Sequence, residues 1–139
     1  MNVEVNWLAI ALATVASMVV GSVWYAPSVF GNTWMDWAKL DRKKIEKNGW
    51  KPIVYAVIAS VATAYVLAHV TFLSNKFFGN SFMMDALSTA FWVWLGFTAV
   101  RFWTHDSFEG RPFKLTALNA AHELVTFMAM GAIIGWLGV

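Results

Sequence analysis

Three polar residues in the last apolar run of this sequence are spaced for chemistry inside a helix bundle. Asn119 precedes His122 and Glu123 by one helical turn, so all three side chains can face one groove. Ionisable groups within apolar helices are rare and usually functional. Glu123 would be an exchangeable carboxylate there, with His122 as a neighbouring proton carrier.

Three more residues reach the same depth in the predicted helices. Arg101 lies close to the end of the preceding apolar run and would bind an anion. Trp24 and Tyr25 end the first apolar run at that level. Together the six residues predict a small polar pocket that binds a substrate or relays protons.

A structural interpretation of the same residues stays open from the sequence. Arg101 and Glu123 would form an ion pair that locks the third helix to the fourth, which is the usual way to keep such groups in a bundle. Asn119 and His122 would then hydrogen-bond across the bundle. Arg101 could instead extend to the membrane interface.

A metal site is the weaker alternative. His105, Asp106, His122 and Glu123 offer nitrogen and oxygen ligands. However, His122 and Glu123 are adjacent and diverge by about 100° around a helix. No recognised ligand spacing is present either, so we expect neither a metal nor another cofactor.

The composition indicates that the elements positioning these residues cross a membrane. Of 139 residues, 59% are hydrophobic and 13% are charged, whereas soluble domains carry about 25% charged residues. Nine Trp and eleven Phe suit membrane interfaces. The absence of cysteine excludes disulfides and thiolate catalysis. The net charge of +2 reflects one basic loop and not a nucleic-acid surface.

Four apolar runs are long enough to span a bilayer, at residues 7–26, 53–73, 86–104 and 116–137. They are continuous, so helices are predicted rather than the alternating segments of a small barrel. The fold class is therefore all-α: a single domain, residues 1–139, that forms a bundle of four transmembrane helices.

Basic residues predict the orientation of the bundle. Nine of the ten fall on one side of the predicted helices, which places that side in the cytoplasm and both termini outside, in a multi-pass protein of the inner cell membrane. Lys76 is on the other side. The nine are Lys39, Arg42, Lys43, Lys44, Lys47, Lys51, Arg101, Arg111 and Lys114.

The first cytoplasmic loop is predicted to form a short interfacial helix at about residues 34–48. Trp34, Trp37 and Ile45 share a rough apolar face, and Lys39, Lys43 and Lys47 recur every four residues. This pattern is typical of a helix that lies on anionic lipid. A solvated loop whose charges only fix the topology is the alternative.

Small residues recur at four-residue spacing, which lets transmembrane helices approach closely. Such stripes predict that the first helix packs against the second, whereas the glycines of the fourth could face either the bundle or another copy. The stripes comprise Ala9, Ala13, Ser17 and Gly21; Ala56, Ser60, Ala64 and Ala68; and Gly131 with Gly135.

One segment is distinctive, and with the four-span layout it resembles a family. Its residues are Trp24-Tyr25-Ala26-Pro27-Ser28-Val29-Phe30-Gly31-Asn32-Thr33-Trp34. The chain is similar to a bacterial family of small membrane proteins known as domain of unknown function 1761. The resemblance implies a four-helix integral membrane protein, and it brings no activity or catalytic residue.

Three functions follow from these features. A small transporter or channel-like protein would act as a homo-oligomer, because four helices leave little room for an internal path. A non-catalytic scaffold or assembly subunit would be held by the small-residue faces. A membrane enzyme is the weakest, since no motif supplies a reaction type. Transport is the function that the sequence favours.

Overall fold

A computed structural model describes residues 3–41, 43, 45 and 49–139 of the chain, and this part contains helices and no strand. Four helical segments are long and apolar enough to cross a membrane, so the protein is an all-helical membrane protein. They are Trp7–Trp24, Lys51–Phe78, Phe82–Phe108 and Phe113–Leu137.

The first long helix, α1 (Trp7–Trp24), starts and stops at local sequence signals. The side-chain oxygen of Asn6 accepts hydrogen bonds from two backbone N–H groups of the first turn. Beyond the helix, Ala26 is extended because proline follows it. A π-helical turn (Pro27–Gly31) and a short helix, α2 (Asn32–Trp37), come next.

The predicted interfacial helix over residues 34–48 differs from the helix that the structure contains. Helix α2 ends at Trp37, and Lys39 has a left-handed φ of +53°, which does not continue a right-handed helix. Residues 42, 44 and 46–48 of the predicted helix lie outside the described residues.

The remaining helices form two hairpins with tight turns. Glycine at a positive φ, +69° at Gly79 and +66° at Gly110, begins the reversal of the chain after the second and third spans. A π-helical turn interrupts the third span. In chain order these elements are α3 (Lys51–Phe78), α4 (Phe82–Trp94), the π turn (Leu95–Ala99), α5 (Val100–Phe108) and α6 (Phe113–Leu137).

Three of the spanning helices are longer than the predicted apolar runs. The second extends over residues 51–78 and the third over residues 82–108, since polar residues continue the helices past the apolar segments. The fourth starts three residues before its predicted start, at Phe113. The first ends at Trp24 instead of residue 26, ahead of Pro27.

The four spans form a ring in which each packs against its two neighbours. Helix α1 contacts α3 and α6, and α4 contacts the same two helices from the other side. Neighbours run antiparallel: the Asn6 side-chain amide at the start of α1 donates to the Leu137 carbonyl at the end of α6, at 3.2 Å. We call the end where α1 stops and α3 and α6 begin the basic end.

Two buried aspartates stabilise the hairpins. Asp85 is 2% exposed and accepts hydrogen bonds from the side-chain amides of Asn75 (2.8 Å) and Asn80 (3.0 Å). Asp106 accepts one from the Thr116 hydroxyl at 2.7 Å. Because buried carboxylates need such donors, both turns are closely specified.

Small side chains fill the centre of the bundle. Ala13, Ala64 and Ala68 are fully buried, and the Ser17 and Ser60 hydroxyls share a hydrogen bond of 2.8 Å between α1 and α3. Larger apolar side chains, among them Leu67, Met130 and Ile134, complete the core. Many outward-facing aromatic and aliphatic residues are exposed, as lipid contact requires.

The predicted small-residue stripes do not all lie in the interior. Ala9 is buried, but Ala56 is exposed and Gly21 is only half-buried. The α6 glycines face α4: a Cβ built at Gly131 would lie 2.9 Å from Ala90, and one at Gly135 would lie 2.8 Å from the Met83 sulfur. The glycine face of α6 is therefore occupied within the bundle.

Candidate functional site

The polar cluster of α6 lies at the basic end of the bundle, one to three turns into the helix. His122 Nδ1 is 3.2 Å from Glu123 Oε1, and their side chains are 13% and 31% exposed. Adjacent side chains reach each other here because both bend towards the same side of α6. Glu123 thus keeps part of its carboxylate accessible while His122 is largely covered.

Aromatic residues from the end of α1 surround His122. The Tyr25 ring centre is 4.9 Å from that of His122, and the Trp24 ring centre is 5.9 Å away on a T-shaped approach. The Tyr25 hydroxyl also donates to Asn119 Oδ1 at 3.4 Å, a long hydrogen bond. The structure therefore brings together Trp24, Tyr25, Asn119, His122 and Glu123.

Arg101 does not join them. It is exposed on α5 and forms no ion pair with Glu123 in the described part of the chain, so the predicted ion pair is absent. The reason is the π turn at Leu95–Ala99. This turn contains one residue more than an α-helical turn, so every later side chain of the span points in a different direction. Trp94, just before the turn, links the two helices instead by donating to the Ala120 carbonyl at 2.9 Å.

A cavity of about 440 Å³ opens beside Glu123, between α1, α3 and α6. Its wall is mostly apolar, with Met18, Ile53 and Phe127 among its residues, and hydroxyl groups from Ser17, Ser60, Thr63 and Thr126 add polar points. The cavity extends from the middle of the bundle to the basic end.

The start of α3 leaves this cavity open sideways. Residues 51–59 are all exposed, including the side that would face the bundle. The helix packs only from Ser60 onward, where it hydrogen-bonds to Ser17. A solute could therefore reach Glu123 through the gap between α1 and α3, from the level of the bilayer.

Several buried polar atoms around the cavity have no partner among the described residues. They are His122 Nε2, Trp24 Nε1 and Thr126 Oγ1. Buried polar groups are nearly always hydrogen-bonded in native proteins, so each such atom calls for an explanation. His122 and Thr126 line the cavity and Trp24 contacts His122, but the three atoms themselves are buried.

The weak metal candidates are separated by the fold. Asp106 is engaged by Thr116, His105 is exposed, and His122 pairs with Glu123. The described residues contain no group of three or more His, Cys, Asp or Glu side chains suited to hold a metal.

Sequence reasoning missed three contributors to the cavity. Thr126 lies one turn after His122 on the same face, a spacing that could have identified it. Gly21 faces His122, and a Cβ built there would meet Nε2 at 3.6 Å. Thr63 carried no signal, because its position depends on the angle at which α3 leaves the bundle.

The sequence model of a family described as a protein of unknown function (DUF1761) matches residues 8–135. The chain belongs to this family. The match extends over all four spanning helices except their outermost residues. It therefore includes every described residue that lines the cavity beside Glu123, and the polar cluster. No curated protein and no solved structure matches the chain.

Proposed function

We propose that this membrane protein transports a small amphipathic cation, with the Glu123 carboxylate exchanging between the cation and a proton. The observation that carries the proposal is the cavity itself: among the described residues of its wall, Glu123 is the only carboxylate, its surroundings are mostly apolar, and there is no Lys or Arg. An apolar cavity with one charged group is the form that small-molecule sites usually take.

The sign of the charge selects the solute. If Arg101 lay in the pocket, as the sequence predicts, an anion would be an equally reasonable substrate. With Arg101 exposed on α5, the pocket keeps the carboxylate and loses the cation that would have bound an anion. Because a charge in apolar surroundings needs a counter-charge, an organic cation suits Glu123 better than an anion does.

The aromatic neighbours support the same solute. Tyr25 lines the cavity together with Glu123, so an aromatic ring shares the wall with the carboxylate, and Trp24 contacts His122 next to it. Aromatic faces attract organic cations by about 0.5–2 kcal/mol, and more where water is excluded. The sideways opening at residues 51–59 suits a solute that partitions into lipid.

The orientation and assembly belong to the same proposal. The basic end faces the cytoplasm of a bacterial cell, in its inner membrane, because nine of the ten basic residues lie on that side. The core that includes Leu67 and Met130 closes the cavity towards the opposite end. A path across the bilayer therefore needs helix movement, and we expect a homo-oligomer to accommodate it.

The scaffold alternative loses its main support. It relied on small-residue faces that could hold a partner, yet Gly131 and Gly135 pack against α4 of the same chain. Ser17 is likewise engaged with Ser60. No other observation favours a scaffold over a binding protein.

A binding assay with charge-matched probes tests the proposal. Detergent-purified protein is titrated with aromatic quaternary ammonium ions of increasing size, beginning with benzyltrimethylammonium, and with benzenesulfonate as the anionic control. We expect the ammonium ions to bind and benzenesulfonate not to. Binding should weaken as the pH falls, because a proton on Glu123 competes with the cation.

Two variants locate the binding. Glu123→Gln should reduce the affinity at least about tenfold, as expected for loss of one partner of a partly buried charge pair. Glu4→Gln is the matched control, since Glu4 is exposed near the start of the chain. Gly21→Leu should fill the cavity without altering its charge. Gly21→Ala is its control, because a Cβ at position 21 has room, with His122 Nε2 as its nearest contact at 3.6 Å.

Transport is measured in liposomes that contain the protein and a trapped pH-sensitive dye. An inward gradient of the best-bound ammonium ion should drive protons outward in the unchanged chain and in Glu4→Gln, but not in Glu123→Gln. Equal affinities of Glu123→Gln and Glu4→Gln for every cation, or tighter binding of benzenesulfonate, would show that the proposal is wrong.

A further inference from the structure

A second pocket lies outside the Glu123 cavity, at the basic end. Its volume is about 470 Å³, and it separates the short helix α2 from the turn between α5 and α6. Trp34 and Trp37 form one wall, while Arg111 and Leu115 form the other. We call this space the interfacial pocket. The two spaces share no described wall residue, but Asn119 of the interfacial pocket accepts a hydrogen bond from Tyr25, which lines the Glu123 cavity.

We propose that the interfacial pocket binds the phosphodiester headgroup of an anionic phospholipid. Among the described residues of its wall, the two charged ones, Lys39 and Arg111, are both basic. Arg111 is partly engaged, because its Nε is 2.6 Å from Glu109 and 3.8 Å from Asp106. Lys39 has no carboxylate within ion-pair distance among the described residues, which leaves its charge available.

The backbone places Lys39 at the pocket at a cost. Its φ of +53° lies in the left-handed region, where glycine is the usual residue at the end of a helix. A side chain there costs about 1 kcal/mol. Lysine nevertheless occupies the position, with its backbone N–H donating to the Asp36 carbonyl at 3.2 Å, and it is one of the residues that line the pocket.

The aromatic wall favours a lipid over a free anion. Trp34 and Trp37 belong to the short helix that follows the first span and its π-helical turn, at the level where tryptophan meets headgroups. Lys114 Nζ lies 4.5 Å over the Trp37 ring, which adds positive charge to the apolar wall. A pocket that combines basic groups with apolar rings matches a phospholipid, whose phosphate and acyl chains are joined.

Asn119 adds a polar contact in the depth of the pocket. Its Oδ1 accepts from Tyr25, so its Nδ2 remains as a donor that can reach a phosphate or glycerol oxygen. The volume also fits, because pockets of about 300–1,000 Å³ hold molecules of this size.

Native mass spectrometry of the full chain tests the proposal. Protein in neutral detergent is mixed with equal amounts of phosphatidylglycerol and phosphatidylcholine, and the retained lipids are counted. We expect phosphatidylglycerol to be retained preferentially. Lys39→Asn should lower that preference about fivefold, the effect of one basic residue beside an anionic lipid. Asparagine also tolerates the left-handed backbone, so the fold is preserved.

Lys43→Asn is the matched control. Lys43 is exposed in the same loop and does not line the pocket, so its loss removes the same charge without removing a contact. If Lys43→Asn lowers the preference as much as Lys39→Asn does, only diffuse attraction is at work and the site does not exist. Equal retention of both lipids by the unchanged chain also overturns the proposal.

A third arm distinguishes the lipid from a free anion. Inorganic phosphate is titrated against lipid-free protein, and its binding is followed by calorimetry. We expect no binding that depends on Lys39. Phosphate binding lost in Lys39→Asn, without preferential retention of phosphatidylglycerol, would instead assign the pocket to a soluble phosphate. The outcome is independent of Glu123, whose substitution should leave lipid retention unchanged.

Discussion

Replacing Gly131 with alanine tests how closely α6 packs against α4. A Cβ built at this position would lie 2.9 Å from the Cβ of Ala90 and 3.1 Å from the carbonyl oxygen of Ala86. Non-bonded carbon atoms prefer a separation of about 3.5–4.0 Å. Neither neighbouring atom belongs to a flexible side chain, so no change of rotamer can relieve the overlap.

The expected loss of stability is the balance of two terms. Relieving the overlap requires the helices to separate by about 0.6 Å or more, and overpacking of this kind costs about 1–3 kcal/mol. Alanine also stabilises a helix relative to glycine by up to about 1 kcal/mol. The free energy of unfolding of Gly131→Ala should therefore fall by about 1–2 kcal/mol.

Reversible unfolding in mixed micelles with increasing dodecyl sulfate, followed by circular dichroism, measures this difference. Gly96→Ala is the matched control, because a Cβ built at Gly96 meets no atom within 4 Å. It should keep or raise the stability. The double variant Gly131→Ala with Ala90→Gly removes the closer of the two contacts, so its loss should be smaller than the sum of the two single losses.

The reasoning is refuted if Gly131→Ala is as stable as Gly96→Ala. It is also refuted if the double variant shows simple additivity, since the loss would then come from something other than the contact with Ala90. The first result would mean that α6 and α4 lie further apart than the structure places them.

Two further predictions concern a turn and the topology. Thr116→Val should lower the free energy of unfolding by about 1–3 kcal/mol, because the buried Asp106 carboxylate loses its 2.7 Å hydrogen bond. Its control is Thr104→Val, which removes an exposed hydroxyl. In the same unfolding assay this variant should change the free energy of unfolding by less than about 0.5 kcal/mol. The chain has no cysteine, so single cysteines introduced at Lys43 and Val139 can be labelled on intact cells with an impermeant maleimide. Only the cysteine at position 139 should react. Labelling at both positions would contradict the proposed orientation.

The spanning helices could be predicted because lipid imposes one simple demand. Backbone groups in the membrane must be bonded within each segment, so a long apolar run is a helix. The ends were less predictable, since residues such as Asn75 and Lys76 continue α3 beyond its apolar part. Gly79 ends that helix through a positive φ, which hydropathy does not register.

The candidate site was predictable where it lies on one regular helix. The spacing of Asn119, His122 and Glu123 on α6 depends only on helical geometry, and the structure keeps the three at the same end as Tyr25. Arg101 could not be placed in this way. A π turn lies between it and the start of its span, and the sequence carried no sign of that turn.

The cavity itself depends on tertiary structure that local patterns do not encode. The stripe of small residues on α3 runs without a break from Ala56 to Ala68, which predicts close packing along its whole length. In the structure the contact begins at Ser60 and Ala56 is exposed. Small residues permit close approach, but they do not enforce it.

The residues that form the site also explain why the bundle is open there. At the centre of the bundle, α1 and α3 meet through side chains as small as Ala13 and Ala64, which are fully buried. Near the basic end, Tyr25 and His122 lie between α1 and α6 with ring centres 4.9 Å apart. Two rings occupy more width than two alanines, so the helices cannot close around them. Residues 51–59 of α3 are exposed and include part of the cavity wall, so we expect a change in the width of the cavity to fall on this segment, with the Ser17–Ser60 hydrogen bond as its fixed point.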